Sequence, residues 1–157
     1  MDSTPIADIG FLVIVGYIVV ATALATAHGA PTKDRATVLR RALVLGIVWL
    51  TITATPTLLG WVGPNGRFPP QLLMGIVLAA AVAFAFSSPG TRIARTVPIW
   101  ALVAFQGFRL PLELVLHRWA EVGTAPPQMT WTGQNPDIVA AALALLAIPF
   151  IRRKPST

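Results

Sequence analysis

The sequence predicts an all-α, polytopic membrane helix bundle with five transmembrane helices, an N-terminus outside the cell and a C-terminus in the cytoplasm. Three observations predict it: composition, the spacing of apolar runs, and the placement of basic residues. The chain of 157 residues is 55% hydrophobic and 11% charged, with a mean hydropathy of +0.70. Soluble domains average about 25% charged residues, and apolar runs long enough to cross a bilayer are typical of transmembrane helices.

Five apolar runs separated by short polar stretches divide the chain. They predict helices at about residues 9–27, 42–59, 71–87, 97–119 and 136–151. No connection between them is long enough for a soluble domain, so residues 1–157 are interpreted as a single transmembrane domain. The first run follows Asp2 and Asp8, whereas a signal peptide begins with basic residues, which predicts an uncleaved helix.

The fifth predicted helix is the shortest. It opens on Asn135, Pro136 and Asp137, which supply a cap, a first-turn proline and an acidic first turn. Its apolar part, residues 138–151, rises about 21 Å against a hydrocarbon core of about 30 Å. It must therefore thin the bilayer, begin its span near Asn135, or be re-entrant. The basic run 152–154 that follows favours a full span.

The basic residues predict the orientation of the chain. Nine of the twelve lie in the segments 33–41, 92–95 and 152–154, and the other side holds four of the six acidic residues. Because cytoplasmic loops carry the excess of Lys and Arg, these three segments are expected on the cytoplasmic side of a bacterial inner membrane. The charges lie at helix ends and form no continuous basic face, so the expected partner is the lipid bilayer and not a nucleic acid.

Polar side chains recur on one face of the fourth predicted helix. At about 100° per residue they fall within an arc of about 80°. We call them the polar stripe: Gln106, Arg109, Glu113 and His117. Ionisable groups in a span cost about 2.5–3.5 kcal/mol on insertion scales, so they are expected to face protein or water. Arg109 can pair with Glu113 across one turn. Pro111 cannot donate to the carbonyl of Gly107, which predicts a kink there.

The polar stripe has two interpretations: it lines a site for a ligand, ion or substrate, or it only fixes helix packing. The loop 124–135, rich in proline and aromatic residues, is likewise either a lid over the stripe or a plain connection. If the loop is a lid, residues of the polar stripe and of the loop together form one ligand-binding site. Its members are Gln106, Arg109, Glu113, His117, Met129, Trp131, Asn135 and Asp137. No catalytic or metal-binding residue is assigned.

Residue counts limit the cofactors, and small residues suggest a packing face. The chain has no cysteine and only His28 and His117, which the topology places at opposite membrane faces, so bis-histidine haem ligation is excluded. A single axial ligand to a pigment stays open for either histidine, and the cofactor is otherwise unknown. Gly75, Ala79 and Ala83 form a ridge suited to close helix contact in a homo-oligomer or a larger complex. In an alanine-rich chain the ridge can also arise by chance.

One segment resembles a known family. Its residues are Arg109, Pro111, Glu113 and Leu114, followed by Met129, Thr130, Gly133, Asn135, Asp137 and Ile138. An Arg-x-Pro-x-Glu-Leu helix followed by a Met-Thr-x-x-Gly-x-Asn-x-Asp-Ile segment resembles a family of uncharacterised small multi-pass bacterial membrane proteins. The resemblance implies a membrane fold and directs attention to this segment, but it implies no particular activity.

Three functions are compatible with these features. The first is a polar outer-leaflet pocket that binds or translocates a small molecule, an ion or a lipid headgroup. The second is an accessory or structural subunit of a larger membrane complex, which fits the small size and the ridge. The third is a membrane-embedded enzyme that uses Glu113 or His117 as acid and base. Only the residue types support the enzyme, so the sequence favours a role without catalysis.

Overall fold

The computed structural model describes residues 5–62, 66–133 and 136–153, and within these ranges the chain is all-helical, with 83% helix and no strand. The predicted fold class is confirmed to that extent. The α-helices are α1 Pro5–His28, α2 Arg35–Leu58, α3 Pro70–Phe86, α4 Ser88–Thr96, α5 Ile99–Phe105, α6 Arg109–Glu121 and α7 Asp137–Arg153. Three 3₁₀ turns accompany them: Thr32–Asp34, Gln106–Phe108 and Pro127–Met129.

Three helical stretches of the described residues are long and apolar enough to cross a membrane: Pro5–His28, Thr32–Leu58 and Ile99–Glu121. The axes of α3 and α4 differ by 63°, and the pair counts as a fourth span if it is taken as one broken helix. With 17 residues, α7 rises about 25 Å at about 1.5 Å per residue. These helices are consistent with the predicted membrane class, whereas the number of five spans and the orientation stay predictions.

Two helix boundaries differ from those expected. α2 begins at Arg35 and not near residue 42, because hydropathy marks only the apolar part of a helix, while Arg and Ala continue it readily into polar surroundings. The expected connection after α3 is itself helical. There Ser87 caps α4: its Oγ accepts a hydrogen bond from the Gly90 amide over 3.3 Å.

The fourth predicted helix is interrupted where Pro111 predicts a kink. The 3₁₀ turn Gln106–Phe108 separates α5 from α6. Pro111 has no N–H for the carbonyl of Gly107, four residues earlier, and its ring crowds that carbonyl. Gly107 also allows α7 to approach, because a Cβ there would lie 3.1 Å from Cδ2 of Leu145. The α-helical pattern is thus interrupted before Pro111, where α7 packs, while Ile99–Glu121 as a whole remains one candidate span and the kink stays a prediction.

The chain divides into two compact units. Unit 1 comprises Met1–Ile18 and Pro98–Thr157, and unit 2 comprises Val19–Val97. In unit 1 the first half of α1 packs on α6 through a small core of Ala7, Ile14 and Val115. At its edge the rings of Phe11 and Trp119 lie 5.1 Å apart. The N-terminal end of α1 thus lies beside the C-terminal end of α6.

Unit 2 buries little of its surface. Every residue of α3 is exposed except Leu73 and Ala80, which are half-buried, and α2 contains no buried residue. α1 and α2 approach closely at Gly46, where a Cβ would lie 2.8 Å from Cγ1 of Val19. Helices with apolar side chains exposed on most of their faces are expected where lipid, and not water, surrounds a chain.

Candidate functional site

The polar stripe of unit 1 begins at an ion pair between two helices. Nη1 of Arg109, the first residue of α6, lies 2.6 Å from Oδ1 of Asp137, the first residue of α7. Nε of Arg109 donates to Oε1 of Gln106 over 3.1 Å. The guanidinium is thus fixed by one carboxylate and one amide oxygen, and both side chains of the ion pair are about one-third exposed, at 35% and 38%.

The ion-pair partner of Arg109 differs from the one that helix spacing predicts. The sequence predicted a pair with Glu113 one turn along the same helix, but the salt bridge that Arg109 makes within the described ranges is to Asp137. The physical reason is tertiary. α7 packs against α6 and brings its first carboxylate to the guanidinium, while the Glu113 side chain is buried in the protein.

Glu113 is the most deeply placed member of the polar stripe. It is 1% exposed, and with Thr130 it is the largest fully buried side chain of the described residues. It is not isolated there, since it has an interaction partner of its own. A carboxyl group buried inside a membrane-spanning helix is expensive unless a proton, a positive group or hydrogen-bond donors neutralise it. Glu113 is therefore the most informative residue of the site.

The loop after α6 folds onto the far end of the polar stripe. The Trp131 ring stacks on the imidazole of His117, with centroids 4.2 Å apart and planes inclined by 18°. Thr130 is fully buried, and its hydroxyl donates to the carbonyl of Pro127 over 2.9 Å. Gly133 closes the turn, because a Cβ there would overlap the Pro127 carbonyl. The loop is thus a packed structure in contact with the stripe, as a lid requires.

His117 connects the loop to a charged group on α6. Its Nε2 lies 3.6 Å from Oε1 of Glu121, whose Oε2 accepts a hydrogen bond from Nη1 of Arg118 over 2.9 Å. Nδ1 of His117 is buried and has no hydrogen-bond partner among the residues described. The imidazole is 30% exposed where it stacks on Trp131.

The structure brings most of the predicted site residues into two contact groups in unit 1. Gln106, Arg109 and Asp137 form the first, and His117 with Trp131 forms the second. Glu113 lies on α6 between the two groups. Met129 is 48% exposed at the end of a 3₁₀ turn, and Asn135 lies outside the described residues.

Two residues were missing from the predicted site. Thr130 is fully buried in the loop, and its signal was its place beside Met129 in the resembled motif. Glu121 contacts His117, and the signal was the spacing of four residues on one helix. Sequence reasoning overlooked both, because it ranked polar residues by their depth in a span.

Residues of unit 2 line two cavities, of about 340 and 320 Å³. The polar stripe lines neither. Within the stripe Arg109 contacts Gln106, and His117 contacts the loop through Trp131.

The threonines of α2 illustrate the structural alternative for polar residues in a span. Thr51, Thr53 and Thr55 donate to backbone carbonyls of their own helix, Thr53 over 2.9 Å and Thr55 over 2.6 Å. Such bonds use the donor of each hydroxyl within the helix and leave only its acceptor lone pairs for a ligand.

No protein-family model, curated protein or solved structure matches the chain. Its function is accordingly argued from the geometry of the polar stripe and of the loop that covers it.

Proposed function

We propose that the chain is a multi-pass protein of the bacterial inner membrane whose polar stripe binds or translocates a small molecule, an ion or a lipid headgroup. The burial of Glu113 carries the proposal. An ionisable side chain that is 1% exposed on a candidate membrane span is costly for stability and is a functional site by default.

The proposed topology has five spans, with the N-terminus outside and the C-terminus in the cytoplasm. α1, α2 and the α5–α6 stretch supply three spans, α3 with α4 the fourth, and α7 the fifth. α7 has Asp137 at one end and Arg152 at the other, with the Arg152 guanidinium 3.9 Å above the Trp100 ring. A slightly short helix is tolerated by local thinning of the bilayer, and the basic end favours the cytoplasm.

The charges of the site indicate what it can bind. It holds two carboxyl groups, Glu113 and Asp137, for the one guanidinium of Arg109, which is fixed on Asp137. Glu113 already has an interaction partner of its own, so a ligand would share this carboxyl group with that partner. The excess of carboxyl groups over guanidinium groups favours a positively charged ligand, such as a small cation or a molecule with an ammonium group.

Access to Glu113 follows from the loop. The stacking of Trp131 on His117 closes one end of the site. The salt bridge between Arg109 and Asp137 joins the first turn of α6 to the first turn of α7. In the proposed mechanism Trp131 leaves the imidazole, the ligand enters from the outer side, and its positive group reaches Glu113. Arg109 and Asp137 hold the two helices together during this opening.

Thermal unfolding of the full chain in lipid nanodiscs tests the binding site. The probes are sodium, potassium, ammonium and tetramethylammonium ions. We expect at least one of them to raise the unfolding midpoint of the wild type and to lose this effect in Glu113→Gln. Asp34→Asn is the control, because it removes an exposed carboxylate of unit 2 that makes no ion pair within the described ranges. An unchanged response in Glu113→Gln, or no response of the wild type to any probe, would contradict the proposal.

Single cysteines test the topology against a cysteine-free background. Residues 88 and 156 are expected on the cytoplasmic side, and residue 65 outside. Cysteines at Ser88 and Ser156 should resist a membrane-impermeant thiol reagent in intact cells, while a cysteine at Asn65 reacts. Labelling of position 156 from outside would contradict the five-span topology without affecting the binding test.

One observation favours a second candidate, an accessory subunit of a larger membrane complex or a homo-oligomer. α3 is exposed along nearly its whole length, including Gly75, Ala79 and Ala83. A cysteine at Ala79 would distinguish this case: crosslinking in native membranes to a second protein or a second copy supports it, and the absence of any crosslink contradicts it.

A further inference from the structure

The net charge of the chain belongs to one of its two units. Unit 2 contains seven basic residues and one acidic residue, whereas unit 1 contains five of each, so the formal charge of +6 resides in unit 2. Six of the seven basic residues lie in the segments 33–41 and 92–95. We call them the basic end: Lys33, Arg35, Arg40, Arg41, Arg92 and Arg95.

The basic end has no internal counter-charge. All three salt bridges of the described residues lie in unit 1, and none involves the basic end. Its only acidic neighbour in the sequence is Asp34, which makes no ion pair within the described ranges. Six cations of like sign in one region repel one another unless anions from outside the chain approach them.

Two arginines from different helices meet at the end of α1. Arg35 of α2 donates from Nε to the carbonyl of Ala30 and from Nη2 to that of His28, both over 3.3 Å. The aliphatic part of Arg92 from α4 lies against Gly29, where a Cβ would be 2.7 Å from Oγ1 of Thr96 and even closer to the Arg92 side chain. A guanidinium has five N–H groups, so Arg35 keeps donors for a further acceptor.

Two cavities of unit 2 combine arginine with aliphatic side chains. The cavity of about 340 Å³ is lined by His28 and Arg35 together with Leu24, Ala27, Ala36 and Leu39. The cavity of about 320 Å³ is lined by Arg40, Arg41, Val44 and Leu45. Each therefore offers positive groups beside an apolar wall. A molecule that is anionic at one end and aliphatic at the other matches this arrangement.

The direction of α4 adds a membrane-surface element to the basic end. α4 is amphipathic, and its axis departs by 63° from that of α3. If α3 crosses the bilayer, α4 runs more nearly along the membrane surface. Arg92 and Arg95, three residues apart on α4, then lie at the level of the lipid phosphates, where basic amphipathic helices bind.

We propose that the basic end binds the phosphate of an anionic phospholipid headgroup, of which phosphatidylglycerol is the simplest bacterial type, with an acyl chain against the aliphatic cavity walls. Arg35 and Arg92 hold the phosphate, and Leu24 and Leu39 contact the chain. Inorganic phosphate carries the same anionic group but has no acyl chain to contact the apolar walls. This site belongs to unit 2 and is independent of the polar stripe.

Native mass spectrometry of the detergent-purified full chain tests the proposal. Phosphatidylglycerol and phosphatidylcholine with identical acyl chains are titrated separately, and inorganic phosphate forms a third arm. We expect tighter binding of phosphatidylglycerol. The double variant Arg35→Gln/Arg92→Gln should weaken it by roughly 10- to 30-fold, because each basic residue near an anionic surface contributes about a factor of five. Arg67→Gln/Arg118→Gln removes two arginines elsewhere and should leave it unchanged.

Several outcomes would overturn the proposal. Equal binding of the two lipids, or an equal loss in the control variant, would show that the basic end has no headgroup site. If inorganic phosphate at equal concentration displaces phosphatidylglycerol, the site binds a free anion and not a lipid, which contradicts the proposal. If the glutamine variants do not fold, a salt titration of the wild type decides. The preference should disappear between about 0.1 and 1 M salt, where the screening length falls from about 10 Å to about 3 Å, and a preference that survives would contradict the proposal.

Discussion

The two units of this chain use their charges in opposite ways. Unit 1 has equal numbers of acidic and basic residues, and two ion pairs join some of them, Arg109–Asp137 between α6 and α7 and Arg118–Glu121 within α6. Unit 2 carries an excess of six positive charges and forms no ion pair within the described ranges. Charges that neutralise each other inside a unit hold its helices in place. Charges without an internal partner are available to the membrane surface.

A related contrast separates α6 of unit 1 from α3 of unit 2. α6 buries Glu113 and Val115 and contacts α1, α7 and the loop. α3 has no charged side chain, and nearly all of its residues are exposed. The charged helix is thus the well-packed one, since a polar group in a span needs protein around it, whereas an apolar helix can remain in lipid.

The largest effect is expected at the pair between α6 and α7. Arg109→Ala or Asp137→Ala should lower the free energy of unfolding by about 2–3 kcal/mol, between the about 1 kcal/mol of a surface pair and the about 3–5 kcal/mol of a buried one. The double variant should lose less than the sum of the two. Denaturation in mixed micelles measures both, with Arg40→Ala as the control in unit 2. Strictly additive losses would show that the pair does not hold the helices.

A smaller effect is expected where the backbone turns from α3 into α4. In Gly90→Ala the new Cβ would meet the backbone carbonyls of Phe84 and Ala85. Overpacking of this kind costs about 1–3 kcal/mol, and it would also displace Arg92 and weaken phosphatidylglycerol binding. Gly75→Ala is the control, because nothing lies within 4 Å of a Cβ there. A loss in Gly75→Ala as large as that in Gly90→Ala would mean that another helix covers the ridge.

The stacked ring pair of unit 1 should affect binding at its site. The Trp131 ring lies on the imidazole of His117, with centroids 4.2 Å apart. His117→Gln removes this contact and should change the stabilisation by a bound cation by about 1 kcal/mol or less. His28→Gln, in unit 2, should leave it as in the wild type. Identical stabilisation in wild type and His117→Gln would leave the imidazole a purely structural role.

The smallest effect is expected in the basic end without its lipid. Arg40→Gln and Arg41→Gln should each change the free energy of unfolding by about 0.5 kcal/mol or less in a neutral detergent, because neither residue makes an ion pair in the described structure. The same variants should lose stability relative to the wild type once phosphatidylglycerol is added. A clear loss in neutral detergent would mean that these arginines support the fold from within, as Arg109 does in unit 1.

Much of the fold was predictable because the requirements of a bilayer act on each segment separately. Apolar runs locate helices, since backbone groups in lipid must be hydrogen-bonded within their own segment. The break before Pro111 was predictable too, because proline lacks a donor for a known carbonyl. The ends of the helices were less predictable. The polar residues 35–41 and 88–96 are helical, although their hydropathy does not indicate a helix.

The partner of Arg109 shows what the sequence could not determine. Local spacing favours Glu113, four residues away, but the structure pairs Arg109 with Asp137, 28 residues away. The stacking of Trp131 on His117 and the burial of Thr130 likewise depend on how the loop returns to α6. Composition and periodicity alone determined the class of the protein, its helices and the residues of interest. Only the packing of α7 and the loop on α6 decided which of those residues touch, because a contact between distant segments depends on tertiary structure and not on local spacing.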